Sequence, residues 1–164
     1  MTIACLGRAA ASRVIEAPRE RLYQAFMDPD ALVAWLPPAG MEGHVRAFDS
    51  RQGGGYLMAL TYLDPAMAGR GKTTADTDLV NARFIELIAN ERIVQRVDFV
   101  TADPAFTGEM ILTWTFAEVA GGTEVSVAAE NAPAGISRAD HEAGMGLSLD
   151  QLAAFAAKRG EDDR

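Results

Sequence analysis

Between residues 42 and 130 the chain is a succession of short runs rich in Val, Ile, Thr, Phe and Tyr, each closed by turn residues, and one long helical stretch follows. The runs Glu42 to Asp49, Gly55 to Leu63, Asp78 to Ile88, Arg92 to Thr101, Gly108 to Glu118 and Thr123 to Glu130 predict strands. Gly53-Gly54-Gly55, Asn90, Asp103-Pro104 and Gly121-Gly122 punctuate them. Short sequential connections imply antiparallel neighbours.

Ser12 to Glu16 predicts a strand ahead of these, closed by Ala17-Pro18. Proline suits the first turn of a helix, and Leu22, Tyr23, Phe26 and Met27 then follow at helical spacing over Arg19 to Met27. Asp28-Pro29 stops that helix. Asp30 is expected to cap a second short one, which carries Leu32, Trp35 and Leu36 and ends at Pro37-Pro38. Ser137 begins a capping pattern for the terminal helix, expected to run to Arg159, roughly 33 Å at ~1.5 Å per residue. Met145, Leu149, Leu152 and Ala156 form its apolar stripe. Lys158 and Arg159 suit its last turn, and Gly160 is expected to stop it.

A seven-stranded antiparallel sheet has one face that needs cover, and only the terminal helix is long enough to supply it. The expectation is therefore one α+β domain over residues 1–164: a curved sheet wrapped around a long C-terminal helix, with two short helices after the first strand. Residues 1–10 are expected to be a loose N-terminus and 160–164 a tail. A chain of 164 residues can bury a core without disulfides or metal. The lone cysteine, Cys5, staples nothing. The net charge of −8 disfavours nucleic acid and anionic membrane surfaces. No run approaches the ~20 apolar residues of a membrane span, and the N-terminus has no leader pattern, so a cytoplasmic location is expected.

A bent sheet and one helix leave a gap, and such gaps bind ligands. Alternation aligns Tyr56, Met58, Leu60 and Tyr62, and likewise Met110, Leu112, Trp114 and Phe116. The candidate cavity lining is Trp35, Tyr56, Met58, Tyr62, Phe84, Phe99, Trp114, Gly144, Met145 and Leu149. A dry core is the competing account of the same pattern. Gly144 and Gly146 are costly inside a helix, which suggests close approach to the sheet, space for a ligand or a local irregularity. Arg46, Glu86, Arg96, Asp98 and His141 are the polar candidates, either turned into the cavity or solvated on the outer face. Asp64 to Thr77 is expected to be a polar, mobile loop able to act as a lid.

Two motifs fail. His141-Glu142 opens like a zinc-protease motif, but Met145 stands where the second histidine must be. Gly69-Arg70-Gly71-Lys72-Thr73 ends like a phosphate-binding loop, but Ala66 holds the place of its first glycine. No metal, cofactor or catalytic set is expected.

Ser12 to Pro18, the Leu22 to Trp35 helix pair with Asp28-Pro29, the Asp49, Arg51, Gly53-Gly54 hairpin with Tyr56, the run Phe84 to Ile88 followed by Glu91 to Val94, Gly121-Gly122-Thr123, and His141, Gly144 and Met145 together form an ordered set. In it the chain resembles the START-like superfamily of helix-grip proteins, also called SRPBCC or polyketide-cyclase and birch-pollen-allergen-like. Within that superfamily it resembles most the family named for the activator homologue of the heat-shock-protein-90 ATPase. The likeness spans Ser12 to Arg159. Met145 replaces the family's usual tryptophan, and Ala89-Asn90 its usual prolines.

The resemblance implies a helix-grip fold with a cavity, in a group that includes lipid and hormone carriers, aromatic cyclases and co-chaperone domains. Three functions stay open. The first is a binding module for a small apolar or amphipathic molecule, lipid or aromatic. The second is an enzyme of cyclase or hydrolase type using Glu86, Asp98 or His141. The third is a protein-interaction domain that regulates a chaperone or pairs with a second copy of the chain.

Overall fold

The computed structural model describes residues 9–162 other than 68 and 70; the side chains of Met67 and of residues 159–162 lie outside that description. Cys5 and most of the expected loose N-terminus also lie outside it. Ala9 and Ala10 already belong to the first strand.

The elements follow in the order β1 (Ala9–Ile15), α1 (Arg19–Met27), α2 (Pro29–Trp35), β2 (Met41–Asp49), β3 (Gly55–Tyr62), β4 (Thr77–Ile88), β5 (Arg92–Phe99), β6 (Met110–Val119), β7 (Gly122–Glu130) and α3 (Arg138–Asp162). The strands form one antiparallel sheet in the order β1-β7-β6-β5-β4-β3-β2. From β2 to β7 each strand pairs with the next in sequence, through tight turns except for the longer segments 63–76 between β3 and β4 and 100–109 between β5 and β6. Only β1 pairs out of turn, with β7, because α1 and α2 intervene before β2.

Local chemistry sets the element ends. Asp28, not Asp30, caps α2: its side chain accepts from the Asp30 amide at 2.9 Å, and Pro29 follows at the first helical position. Ser137 Oγ accepts from the Asp140 amide at 3.0 Å, as its sequence pattern predicts. Gly160 does not stop α3, which continues to Asp162. Gly53 and Asn90 turn the chain at positive φ, 88° and 66°. Gly122 sits so close to β1 that an added Cβ would lie 2.1 Å from the Ile15 carbonyl oxygen.

Two bulges decide which side chains face the core. The register slips between Val45 and Ala47 in β2, and between Phe84 and Glu86 in β4. Each slip inserts one residue, Arg46 or Ile85, and reverses the alternation beyond it. The inner face then carries Val45 and Phe48 on β2, Tyr56 and Met58 on β3, Ala82, Phe84 and Leu87 on β4, Ile93, Gln95 and Val97 on β5, Trp114 and Phe116 on β6, and Val125, Val127 and Ala129 on β7.

Helix α3 crosses this face beside β1. Arg13 pairs with Asp150, and Glu142 accepts from the Ala10 amide at 3.0 Å. Gln151 Nε2 donates to the Trp35 and Pro37 carbonyls at 2.6 and 2.9 Å, which fixes α3 to the end of α2. Met145, Leu149, Leu152 and Ala156 are buried. Each large apolar side chain buried here contributes about 2 kcal/mol.

Candidate functional site

The sheet's inner face has two unlike ends. At one, Phe26 meets Trp35, Trp114 and Phe116 edge-on, with ring centroids 4.8, 4.9 and 5.6 Å away, and Tyr23 meets Phe116 at 6.1 Å. The Trp35 indole N–H donates to the Ala25 carbonyl at 2.9 Å. Helices α1 and α2 thus close that end with aromatic packing. At the other end Leu60, Tyr62, Val80, Phe99 and Leu112 remain half-buried.

Between the ends runs a buried polar row. Gln95 is 2 % exposed and Tyr56 7 %. The Trp114 indole donates to Gln95 Oε1 at 3.1 Å, and Gln95 Nε2 approaches the Tyr56 hydroxyl at 3.5 Å. Among the described residues the Tyr56 hydroxyl proton has no placed acceptor. Burial pushes the Tyr56 phenol up to about 12, with the Gln95 contact opposing, so it stays a neutral donor through the physiological range. The Tyr56 ring lies among Phe48 and Phe84, both with centroids 6.0 Å away. Gln95 is not among the polar candidates of the sequence, although it is the one polar residue in phase with Ile93, Val97 and Phe99, and that phase is the signal that marks it.

Trp35, Met58, Phe84, Trp114, Met145 and Leu149 join Tyr56 in one buried cluster, and Phe99 packs against it. Tyr62 lies at the half-open end. Gly144 does not line this space. It is exposed on α3, and an added Cβ at Gly144 or Gly146 would meet nothing within 4 Å, so close approach to the sheet does not account for either glycine. Gly146 instead borders a surface hollow of about 400 Å³ between α3 and β1, with Ser12, Arg13 and Asp150.

Four of the five polar candidates face away from the core. Arg46 is the inserted residue of the β2 bulge and is exposed. Glu86 lies just past the Ile85 bulge, which turns it outward, where its Oε1 accepts from Arg92 Nε at 2.7 Å. Arg96 and Asp98 alternate out of phase with the buried β5 residues; Arg96 approaches Glu109 at 3.5 Å and Asp98 accepts from Asn81 at 3.3 Å. Only His141 stays on the inner side, one turn before Met145. It is half-buried, and its Nδ1 is enclosed with no partner among the described residues. Burial pushes its pKa down, against the opposing pull of Glu142. Among the described residues no group of three or more His, Cys, Asp or Glu gathers as a metal site would require.

A surface hollow of about 650 Å³ lies elsewhere, between α2, the turn after it and the second half of α3, where Val33, Pro37, Met41, Phe155 and Lys158 border it. None of the residues predicted to line the cavity touches it. Among the described residues no helix is long and apolar enough to cross a membrane.

Known proteins agree with this architecture. A structure of a Chromobacterium violaceum protein is 34 % identical over 92 % of this chain and 97 % of that one, with a TM-score of 0.80. An AHSA1-like protein from Aeromonas hydrophila, 19 % identical, covers 93 % and 94 % of the two chains at a TM-score of 0.71, and a Rhodobacter sphaeroides protein, 21 % identical, covers 92 % of each at 0.74. No curated protein matches. Residues 16–157 match the family described as "Activator of Hsp90 ATPase homolog 1-like protein". The chain belongs to that family, and with it to the START-like superfamily.

Proposed function

We propose that this protein binds a small apolar or amphipathic molecule, of lipid or aromatic type, between the inner face of the sheet and α3. The buried row Trp114–Gln95–Tyr56 carries this reading. A polar chain inside an apolar core costs free energy unless each group is paired, and this one ends on a hydroxyl with a proton to donate. A ligand with a carbonyl or ether oxygen would accept it. Apolar contacts would come from Met58, Phe84, Met145 and Leu149, with Trp35 behind them. The half-buried Leu60, Val80, Phe99 and Leu112 leave the face least covered next to that row. Of the residues expected to serve an enzyme, Glu86 and Asp98 point away from this space and only His141 stays on the inner side.

Native mass spectrometry of gently purified protein should show a retained small molecule, and the neutral dye Nile red should bind with a fluorescence gain. Tyr56→Phe should weaken binding of carbonyl-bearing Nile red about tenfold, the worth of one hydrogen bond in a dry site, while leaving the fold intact. Absence of both retained ligand and dye uptake would overturn the reading.

A further inference from the structure

One enclosed ion pair stands outside the site described above. Lys72 lies in the segment expected to be a mobile lid, yet its ammonium is held on three sides. Nζ is 3.0 Å from Asp78 Oδ2, 4.9 Å from the centre of the Phe99 ring and 5.1 Å from that of Phe106. The Lys72 amide also donates to Asp78 Oδ1 at 2.6 Å. The Lys72 side chain is 18 % exposed and that of Asp78 6 %. A carboxylate so enclosed requires its cation, and two aromatic faces add cation–π attraction.

Three chain segments meet at this point. Next to Lys72, Thr73 Oγ1 donates to the Val100 carbonyl and accepts from the Leu79 amide at 2.7 Å, which holds residues 71–77 on β4 and the end of β5. Phe106 belongs to the β5–β6 connection. That connection touches the lead-in to α3, where the Gly135 amide donates to the Ala105 carbonyl at 2.6 Å and an added Cβ at Gly135 would lie 3.0 Å from the Phe106 ring. Asp78 pairs with Leu60 and shares its face, and Phe99 pairs with Val80, so the junction sits on the half-buried end of the inner face.

We infer that Lys72 is the pin of a clasp: its ammonium, seated between Asp78, Phe99 and Phe106, joins residues 71–77 to the β5–β6 connection and the α3 lead-in, and its release opens that end of the inner face. The opposite end is sealed by α1, α2 and their aromatic cluster, which leaves the clasped end as the passage. That last consequence rests on the binding reading proposed above; the clasp itself does not.

The test is residue-resolved amide hydrogen exchange on the full chain, paired with Nile red uptake kinetics. Lys72→Met should raise exchange of the Leu79 and Gly135 amides together by about tenfold or more, with the amides of β6 and β7 unchanged. Phe106→Leu, which leaves the ion pair in place, should raise the same two by a few fold, and it decides the matter if Lys72→Met fails to fold. Nile red should enter and leave both variants faster than the parent. Faster exchange confined to residues next to position 72, with Gly135 unmoved, would overturn the clasp. If no dye enters any of the proteins, the binding reading falls while coupled exchange at Leu79 and Gly135 still upholds the clasp.

Discussion

The two ends of the sheet's inner face reach a covered state by different means. At the closed end two helices, adjacent in sequence, deliver Phe26 and Trp35 onto Trp114 and Phe116, and dispersion among large rings holds the join. At the other end loop residues make the join. Loops cover part of an apolar surface, and one buried cation with its carboxylate does the joining. The first arrangement is non-directional and spread over many atoms. The second depends on a few groups, so a single change should loosen it. On the binding function proposed above, the closed end is the fixed wall and the clasped end the one that opens.

The largest effect expected is at the wall. Trp114→Ala should cost about 3–5 kcal/mol in denaturant unfolding, since a ring in the centre of the cluster leaves a cavity and the Gln95 amide loses its donor. Phe99→Ala, at the half-buried end, should cost about 1–2 kcal/mol. Equal losses at the two sites would break the comparison. Next comes the polar row: Gln95→Ala strands the Trp114 N–H in a dry core and should cost about 1–3 kcal/mol, whereas Gln95→Met, which restores volume, should recover part of it.

Smaller still is Gly144→Ala, expected to stabilise by about 0.5–1 kcal/mol, because this position is exposed helix with open space around it. Destabilisation there, or loss of dye binding in Gly144→Leu, would mean that α3 turns another side to the sheet.

The mildest prediction concerns pH. His141 has its pKa lowered from 6.5 by burial, so the unfolded chain takes up a proton before the native one does. Its contribution is fully present above about 6.5 and is lost as pH falls from there through the lower folded value. His141→Gln should flatten stability over that window, while loss tied to Glu142 sets in only at more acidic pH, because the Ala10 amide holds its carboxylate below 4.5. At the alkaline extreme Tyr56 acts with the opposite sense: stability falls as pH rises from 10 to about 12, where the unfolded phenol ionises and the buried one does not.

Much of this architecture was legible beforehand. Helix α1 falls on the residues its spacing predicts, and the strand boundaries agree to within three residues, because period and turn residues are local properties. Tyr56, Met58, Phe84 and Trp114 were identifiable as inward for the same reason. The polar candidates were not. Glu86 shares its parity with Phe84, and Arg46 with Phe48; each is turned outward by a one-residue bulge that leaves no trace in the hydrophobic pattern. Arg96 and Asp98 could have been set aside, since plain alternation with Ile93 and Val97 already points them outward. Lys72 drew attention only as the end of an imperfect phosphate loop, whereas its partners Phe99 and Phe106 lie 27 and 34 positions further along the chain.

By itself, then, the order of residues determined the elements, their antiparallel succession and the apolar stripe of α3, since these depend on torsional preference and on spacings of two or 3.6 residues. Only the tertiary structure decided where bulges reverse the covered face of a strand, and that a lysine in a polar loop is pinned between two distant rings. Those are matters of contact between segments far apart in the chain, and a repeating local pattern carries no information about which distant segment will arrive.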